Sequence, residues 1–166
     1  MAKSPARRTK SPKDKLKYMK DPSQDVSVHR EEVELLKRRA YGFLEEARLA
    51  ARRGFHDGAC FLAEQAVQLF LKAVLLEVIG DYPRTHSIRR LLGEILRILR
   101  SQELEEFIRT NKIRLSALED AYLMARYFIK EYDEDDSRDM LELAENTIKL
   151  AERVVRGWLR GRRGPP

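Results

Sequence analysis

Apolar side chains recur along this chain at helical spacing. From about residue 28 they fall at Val33, Leu36, Ala40, Phe43, Leu44 and Ala47, the three-and-four interval that gathers on one helix face. Arg52 and Arg53 stand where the helix dipole favours cations. Gly54 has no Cβ to penalise the left-handed cap, so the helix is expected to end there. A second helix follows at once. From Ala59 to Ile79 apolar residues occupy nearly every face, as in a helix enclosed by neighbours, and Gly80 and Pro83 stop it.

After the turn DYPRTHS, Thr85 or Ser87 is placed to cap a third helix with apolar positions Ile88, Leu91, Leu92, Ile95 and Leu99. A short helix around Leu104 to Ile108 is expected next, before TNKIR breaks the pattern. Ser116 and Glu119 have the spacing of a capping box, which predicts a helix start there with Leu118, Tyr122, Ala125 and Ile129 facing inward. The acidic run EYDEDDS supplies a loop and an N-cap. The last helix repeats Leu141, Ala144, Ile148, Ala151, Val155 and Trp158 on one face. No segment alternates between hairpin turns, which argues against a β-sheet. The expected fold class is all-α: an up-and-down bundle of four long helices plus one or two short helices over residues 26–160. A basic disordered tail is expected at 1–25, and a short basic C-terminal tail at 161–166.

Length and charge refine this picture. At 166 residues, 43% hydrophobic and 36% charged, the chain is sized for one domain with a real core. No run matches the roughly 20 consecutive apolar residues of a membrane span, and no apolar segment follows the basic N-terminus. The single cysteine, Cys60, forms no internal disulfide, and a reducing cytoplasm is the expected location. The net charge of +6 is concentrated at the ends. Residues 1–22 hold eight basic side chains against Asp14 and Asp21, and Arg160, Arg162 and Arg163 lie near the other terminus. Basic arms of this kind attract nucleic acid through counterion release, although Tyr18 is the one aromatic among the charges.

Several polar residues invite a chemical reading. Glu64, Gln65 and Lys72 interrupt the most apolar helix, and a charge on such a helix needs partners, so an internal Glu64–Lys72 network is expected. His86, between Thr85 and Ser87, reads as a cap-region side chain rather than a catalyst. His56 and Cys60 have too few soft ligands nearby for a zinc site. No metal and no cofactor is expected.

The strings AEQAVQLFLKAVL, THSIRRLL and LEDAYLMARY, followed by an Ala-rich amphipathic helix, occur here in order and on successive helices. In this the chain resembles the HEPN domain, the nucleotide-binding bundle of higher eukaryotes and prokaryotes, over about residues 30–158. Many members of that family are metal-independent ribonucleases with an Arg and a His separated by four to six intervening residues. Cleavage of RNA by its own 2′-hydroxyl requires proton transfer and a cation for the phosphorane charge. Arg126 matches the family's Arg. Glu131, Tyr132 and Asp133 stand where the His belongs, and His29, His56 and His86 all precede Arg126. The expectation is therefore a binding module with no catalytic residues, in which Arg126, Tyr127 and Lys130 contact nucleotide or RNA. Glu119, Glu131 and the acidic run offer Arg126 ion-pair partners as the plainer alternative. The resemblance also implies a homodimer and partnership with a small nucleotidyltransferase on a separate chain. A ribonuclease with a degenerate motif, and a structural interaction protein with a non-specific basic tail, are the alternatives. The homodimer is expected to bury the apolar residues from Leu91 to Leu99 and around Tyr122.

Overall fold

The computed structural model describes residues 22–127 and 130–162; the side chains at 22–28 and at Ala125 and Arg126 lie outside what it describes. Positions 1–21 and 163–166 of the expected tails, and Ile129, expected to face inward, fall outside the described residues as well. Among the described residues the elements are six helices: α1 (Pro22–Arg52), α2 (His56–Ile79), α3 (Ile88–Leu99), α4 (Gln102–Thr110), α5 (Lys112–Tyr127) and α6 (Glu134–Arg162). Helices α1, α2, α5 and α6 are the long ones, and α3 and α4 are the short pair. The expected all-α bundle is the fold. Its first helix opens at Pro22, ahead of the expected start near residue 28, with proline at the one helical position where its missing N–H costs nothing. The last helix runs through Arg162, into the segment expected to be tail.

α2 is the centre of the bundle. Ala63, Val67, Phe70, Leu71, Val74 and Leu75 are fully buried, and they meet α1, α3, α5 and α6 on successive faces. By length and composition alone α2 could cross a membrane, but 72% of its apolar stretch is buried inside the protein. Around it, α1 contributes Ala40, Leu44 and Ala47, and α6 contributes Leu143, Ala144, Ile148, Ala151 and Val155. Val33 and Leu36 of α1 close a smaller cluster against Ala73 and Leu76. Leu91, Leu92 and Ile95 of α3 are buried in this same core. These three are therefore satisfied within one chain, whereas Leu96, Ile98 and Leu99 of the same stretch are only partly buried against it.

Helix ends follow local chemistry where the signals are local. Gly54 and Gly80 both adopt φ +76°, and the Gly80 N–H returns to the Leu76 carbonyl. The Ser87 hydroxyl accepts from the Arg90 N–H to cap α3, while the Thr85 hydroxyl accepts from the Ser87 N–H. At the start of α6 the Asp133 carboxylate accepts from the Asp136 N–H at 2.8 Å, and the Asp136 carboxylate accepts from the Asp133 N–H at 3.2 Å. This reciprocal pair is the capping box of the molecule.

The box expected at Ser116 and Glu119 is not one, because α5 begins at Lys112 and both residues lie inside it. TNKIR is likewise not a loop: between α4 and α5 only Asn111 leaves the helical pattern. Glu119 instead crosses to the neighbouring helix. Its carboxylate accepts from the Ser87 hydroxyl at 2.8 Å, from the Arg89 N–H at 3.1 Å and from the Arg89 guanidinium at 3.0 Å. Burial alone would raise this carboxyl; the hydrogen bonds from Arg89 and Ser87 outweigh it and hold it below the ordinary value. A residue of α5 thus caps α3. Glu119→Gln is expected to lower the unfolding free energy near pH 7 by about 1–2 kcal/mol. Ser116→Ala is expected to change it by less than about 0.5 kcal/mol. Urea unfolding of both variants measures the contrast, and a larger loss in Ser116→Ala would restore the local capping box.

Candidate functional site

α5 delivers its C-terminal turn to the start of α2 and α6. Arg126 lies in that turn, and its side chain is outside the described residues. Tyr127, the last residue of α5, is 68% exposed. Lys130 is exposed, with its ammonium 4.6 Å from the centre of the Tyr132 ring. The three expected binding residues are thus adjacent in the chain. Of the two whose side chains are described, Tyr127 faces solvent and Lys130 covers a buried ring.

The position expected for a catalytic His is occupied by a structural residue. Tyr132 is 5% exposed; its N–H donates to the Asp57 carboxylate at 2.7 Å, and its hydroxyl is buried without a partner. Burial, reinforced by Cys60 and nearby carboxylates, pushes the phenol up to about 12. Burial and the carboxylates of Asp136 and Asp57 push the Cys60 thiol to about 12 as well. Neither group ionises near neutral pH, so neither supplies a nucleophile or base. His56 Nδ1 is 2.9 Å from the Ser137 hydroxyl, which ties α2 to α6. Glu119, offered as a partner for Arg126, is engaged by Arg89.

A second polar group is embedded in α2. Glu64 is fully buried, and its carboxylate accepts from Gln65 Nε2 at 2.7 Å and Gln68 Nε2 at 2.8 Å. Gln68 Oε1 accepts from Lys72 Nζ at 2.9 Å and lies 3.2 Å from His86 Nδ1. The expected Glu64–Lys72 network is present, but the two charges meet through Gln68 and not as an ion pair. Gln68 carried no weight in the sequence reading. Its signal was the spacing Glu64, Gln68, Lys72, one residue per turn on one face. Burial raises the Glu64 carboxyl to about 7, although the hydrogen bonds from Gln68 and Gln65 and the nearby Lys72 oppose it, and burial lowers the Lys72 ammonium. A depression of about 300 Å³ lined by Arg48, Arg52 and Arg138 lies elsewhere, between α1 and α6. Arg48 and Arg138 are already ion-paired there, with Glu145 and Glu134.

The architecture defines an all-α domain of enclosed central helix, with an aromatic and cationic edge at one helix end. The HEPN domain profile matches residues 33–154, and the chain belongs to that family. TT1696 from Thermus thermophilus has a similar fold, with a TM-score of 0.63 at 22% identity, covering 74% of this chain and 98% of that one. ST0689, described as an archaeal HEPN homologue, aligns with a TM-score of 0.55 at 25% identity, covering 75% of this chain and 98% of its own. No curated protein matches the sequence.

The elevated Glu64 carboxyl sets a pH dependence with a definite sign. Because the folded-state value, about 7, exceeds the ordinary 4.5, the unfolded chain loses this proton first as pH rises. Stability falls across that interval and stays reduced above it, by up to about 3 kcal/mol. Glu64→Gln is expected to flatten the profile and to be more stable than the parent at pH 8 by about 1–3 kcal/mol. Urea unfolding at pH 5 and pH 8 tests this. Parallel profiles for the two proteins would place the ionisation elsewhere.

Proposed function

We propose that this HEPN domain binds nucleotide or RNA without cleaving it, and acts in the cytoplasm beside a nucleotidyltransferase carried on a separate chain. The observation that carries this reading is the asymmetry at the end of α5. Arg126 and an exposed Tyr127 are retained for phosphate and base, while Tyr132 is buried with its phenol held neutral where the ribonuclease imidazole belongs. Binding needs a cation and a ring face; cleavage also needs a group that exchanges protons near neutral pH. Family membership supports the nucleic-acid side of the reading. Arg126→Ala is expected to weaken binding of single-stranded RNA or nucleotide by about 1.5–3 kcal/mol, the range of a charge-assisted hydrogen bond. Metal-free RNA cleavage by the unmodified protein, abolished in Arg126→Ala, would replace the binding reading with a ribonuclease. Unchanged affinity would return Arg126 to an ion-paired surface residue. Co-purification of the tagged chain from its source is expected to retain a nucleotidyltransferase, and its absence would remove the partner.

The same helix is also the natural seat of a homodimer. Ile113, Leu123 and Tyr127 of α5 are 85%, 47% and 68% exposed, an unusual concentration of large apolar groups on one helix. Two such faces in contact would bring two Arg126 positions near each other. Light scattering is expected to give a dimeric mass at micromolar concentration, and Ile113→Asp together with Leu123→Asp a monomeric one. A monomeric mass for the parent over a wide concentration range would exclude the dimer.

A further inference from the structure

Two features that the end of α5 does not use converge on His86. The first is a stack of rings. Phe61 and Tyr122 have centroids 6.3 Å apart and planes inclined by 23°, and His86 continues the stack 4.6 Å from Tyr122 at 14°. Phe61 and Tyr122 are half-buried, whereas His86 is exposed. The stack therefore starts in the bundle and ends in an imidazole with one face on Tyr122 and the other toward solvent.

The second feature is orientation. Gln68 Nε2 donates to the buried Glu64 carboxylate at 2.8 Å and to the His86 carbonyl at 3.4 Å, so its Oε1 is committed as the acceptor. Lys72 Nζ donates to that oxygen at 2.9 Å, and His86 Nδ1, 3.2 Å away, is the second donor. The imidazole is thus held on one edge by a hydrogen bond and on one face by Tyr122. A ring fixed in advance loses little freedom when a ligand stacks on it. Cations flank it. Arg84 precedes it in the same turn and Arg90 stands in the first turn of α3, both exposed. The Arg89 and Arg90 N–H groups are already taken, by Glu119 and Ser87, and the Arg89 guanidinium is paired with Glu119, which leaves the guanidinium groups of Arg84 and Arg90 to attract an anion.

A flat face bounded by cations suits a flat, polarisable group joined to a phosphate. We propose that the exposed face of His86 is a stacking ledge for a single nucleobase, whose phosphate is held by Arg84 and Arg90. The ledge rests on the reading of the domain as a nucleotide or RNA binder and gives it a contact on the α2–α3 connection, against Tyr122, one helical turn before Arg126. The row of Glu64 and Gln68, both buried, and half-buried Lys72 is then the support that aims His86, positioning it without touching the ligand.

The test uses the full chain with two probes, AMP and a fluorescein-labelled oligoadenylate, and follows the three histidine rings by NMR. Binding is expected to shift the His86 ring protons upfield, through the ring current of the stacked base, and to leave His56 unmoved. His86→Ala is expected to weaken binding about 5- to 150-fold, the range for loss of one base–aromatic stack. His86→Phe, which keeps a ring on Tyr122, is expected to recover most of that loss. A fall with both probes assigns the ledge to a free nucleotide, and a fall with the oligoadenylate alone assigns it to an RNA strand. Binding that is unchanged in His86→Ala, or lost equally in His86→Phe, would overturn the ledge and leave the broader binding function standing. Absence of binding of either probe to the unmodified protein would overturn both.

Discussion

A helix that is apolar on every face has no stable exposed orientation, and α2 imposes that constraint on the whole molecule. Its fully buried Phe70, Leu71 and Leu75 are each worth about 1.5–3 kcal/mol when removed from water, a gain realised only if neighbours cover all sides. α1 and α6 cover two of them, and α3 and α5 close the rest. The same enclosure makes any charge on α2 costly unless it is bonded. Glu64 and Lys72 persist because Gln68 stands one turn from each and offers an amide with both a donor and an acceptor. The core thus contains a polar row in which truncating any one side chain strands the partner it bonds.

That row reaches the surface through a loop. The α2–α3 connection returns His86 to Gln68, and Ser87 and Arg89 to Glu119, so one short segment is tied to two helices by side chains of each. Beyond the C-terminal end of α5 the chain is tied differently, by the Tyr132 N–H on Asp57 and by His56 on Ser137. The middle of α5 is therefore held both by Glu119 on the α2–α3 segment and by Leu115, Leu118 and Ala121 in the core, while Arg114 near its start pairs with Asp139 of α6.

The helices themselves were legible because burial repeats with the helical period whatever the partner is, as Val33 to Ala47 and Leu143 to Val155 demonstrate. Caps were legible only where the cap and its helix are neighbours in sequence. Ser87 and the acidic run at 133–136 satisfied that condition. Glu119 did not: its spacing from Ser116 imitates a capping box, yet the amide it serves is 30 residues away on another helix. Gln68 was passed over for a related reason, since a glutamine one turn from a glutamate has no distinctive pattern until a loop 18 residues on folds back against it. The α3 stripe was legible only in part. Periodicity reports that Leu91 and Ile95 are buried, and it does not say whether by the same chain or by another.

The pairing of α1 with α6 has an electrical consequence. Arg48 meets Glu145, while Tyr41, two turns earlier on α1, meets Glu152, two turns later on α6, so the helices run in opposite directions. The chain therefore enters and leaves the bundle at one pole. Arg160 and Arg162 in the last turn of α6 lie at that pole, while Glu134, Asp135 and Asp136 open α6 at the other. A helix of 29 residues separates them by about 40 Å. α6 thus carries acidic side chains at one pole of the bundle and basic ones at the other. A polyanion approaching at low ionic strength feels a torque that turns the basic pole toward it before any contact forms. At physiological salt, with a screening length of about 8 Å, the poles act independently and the torque fades.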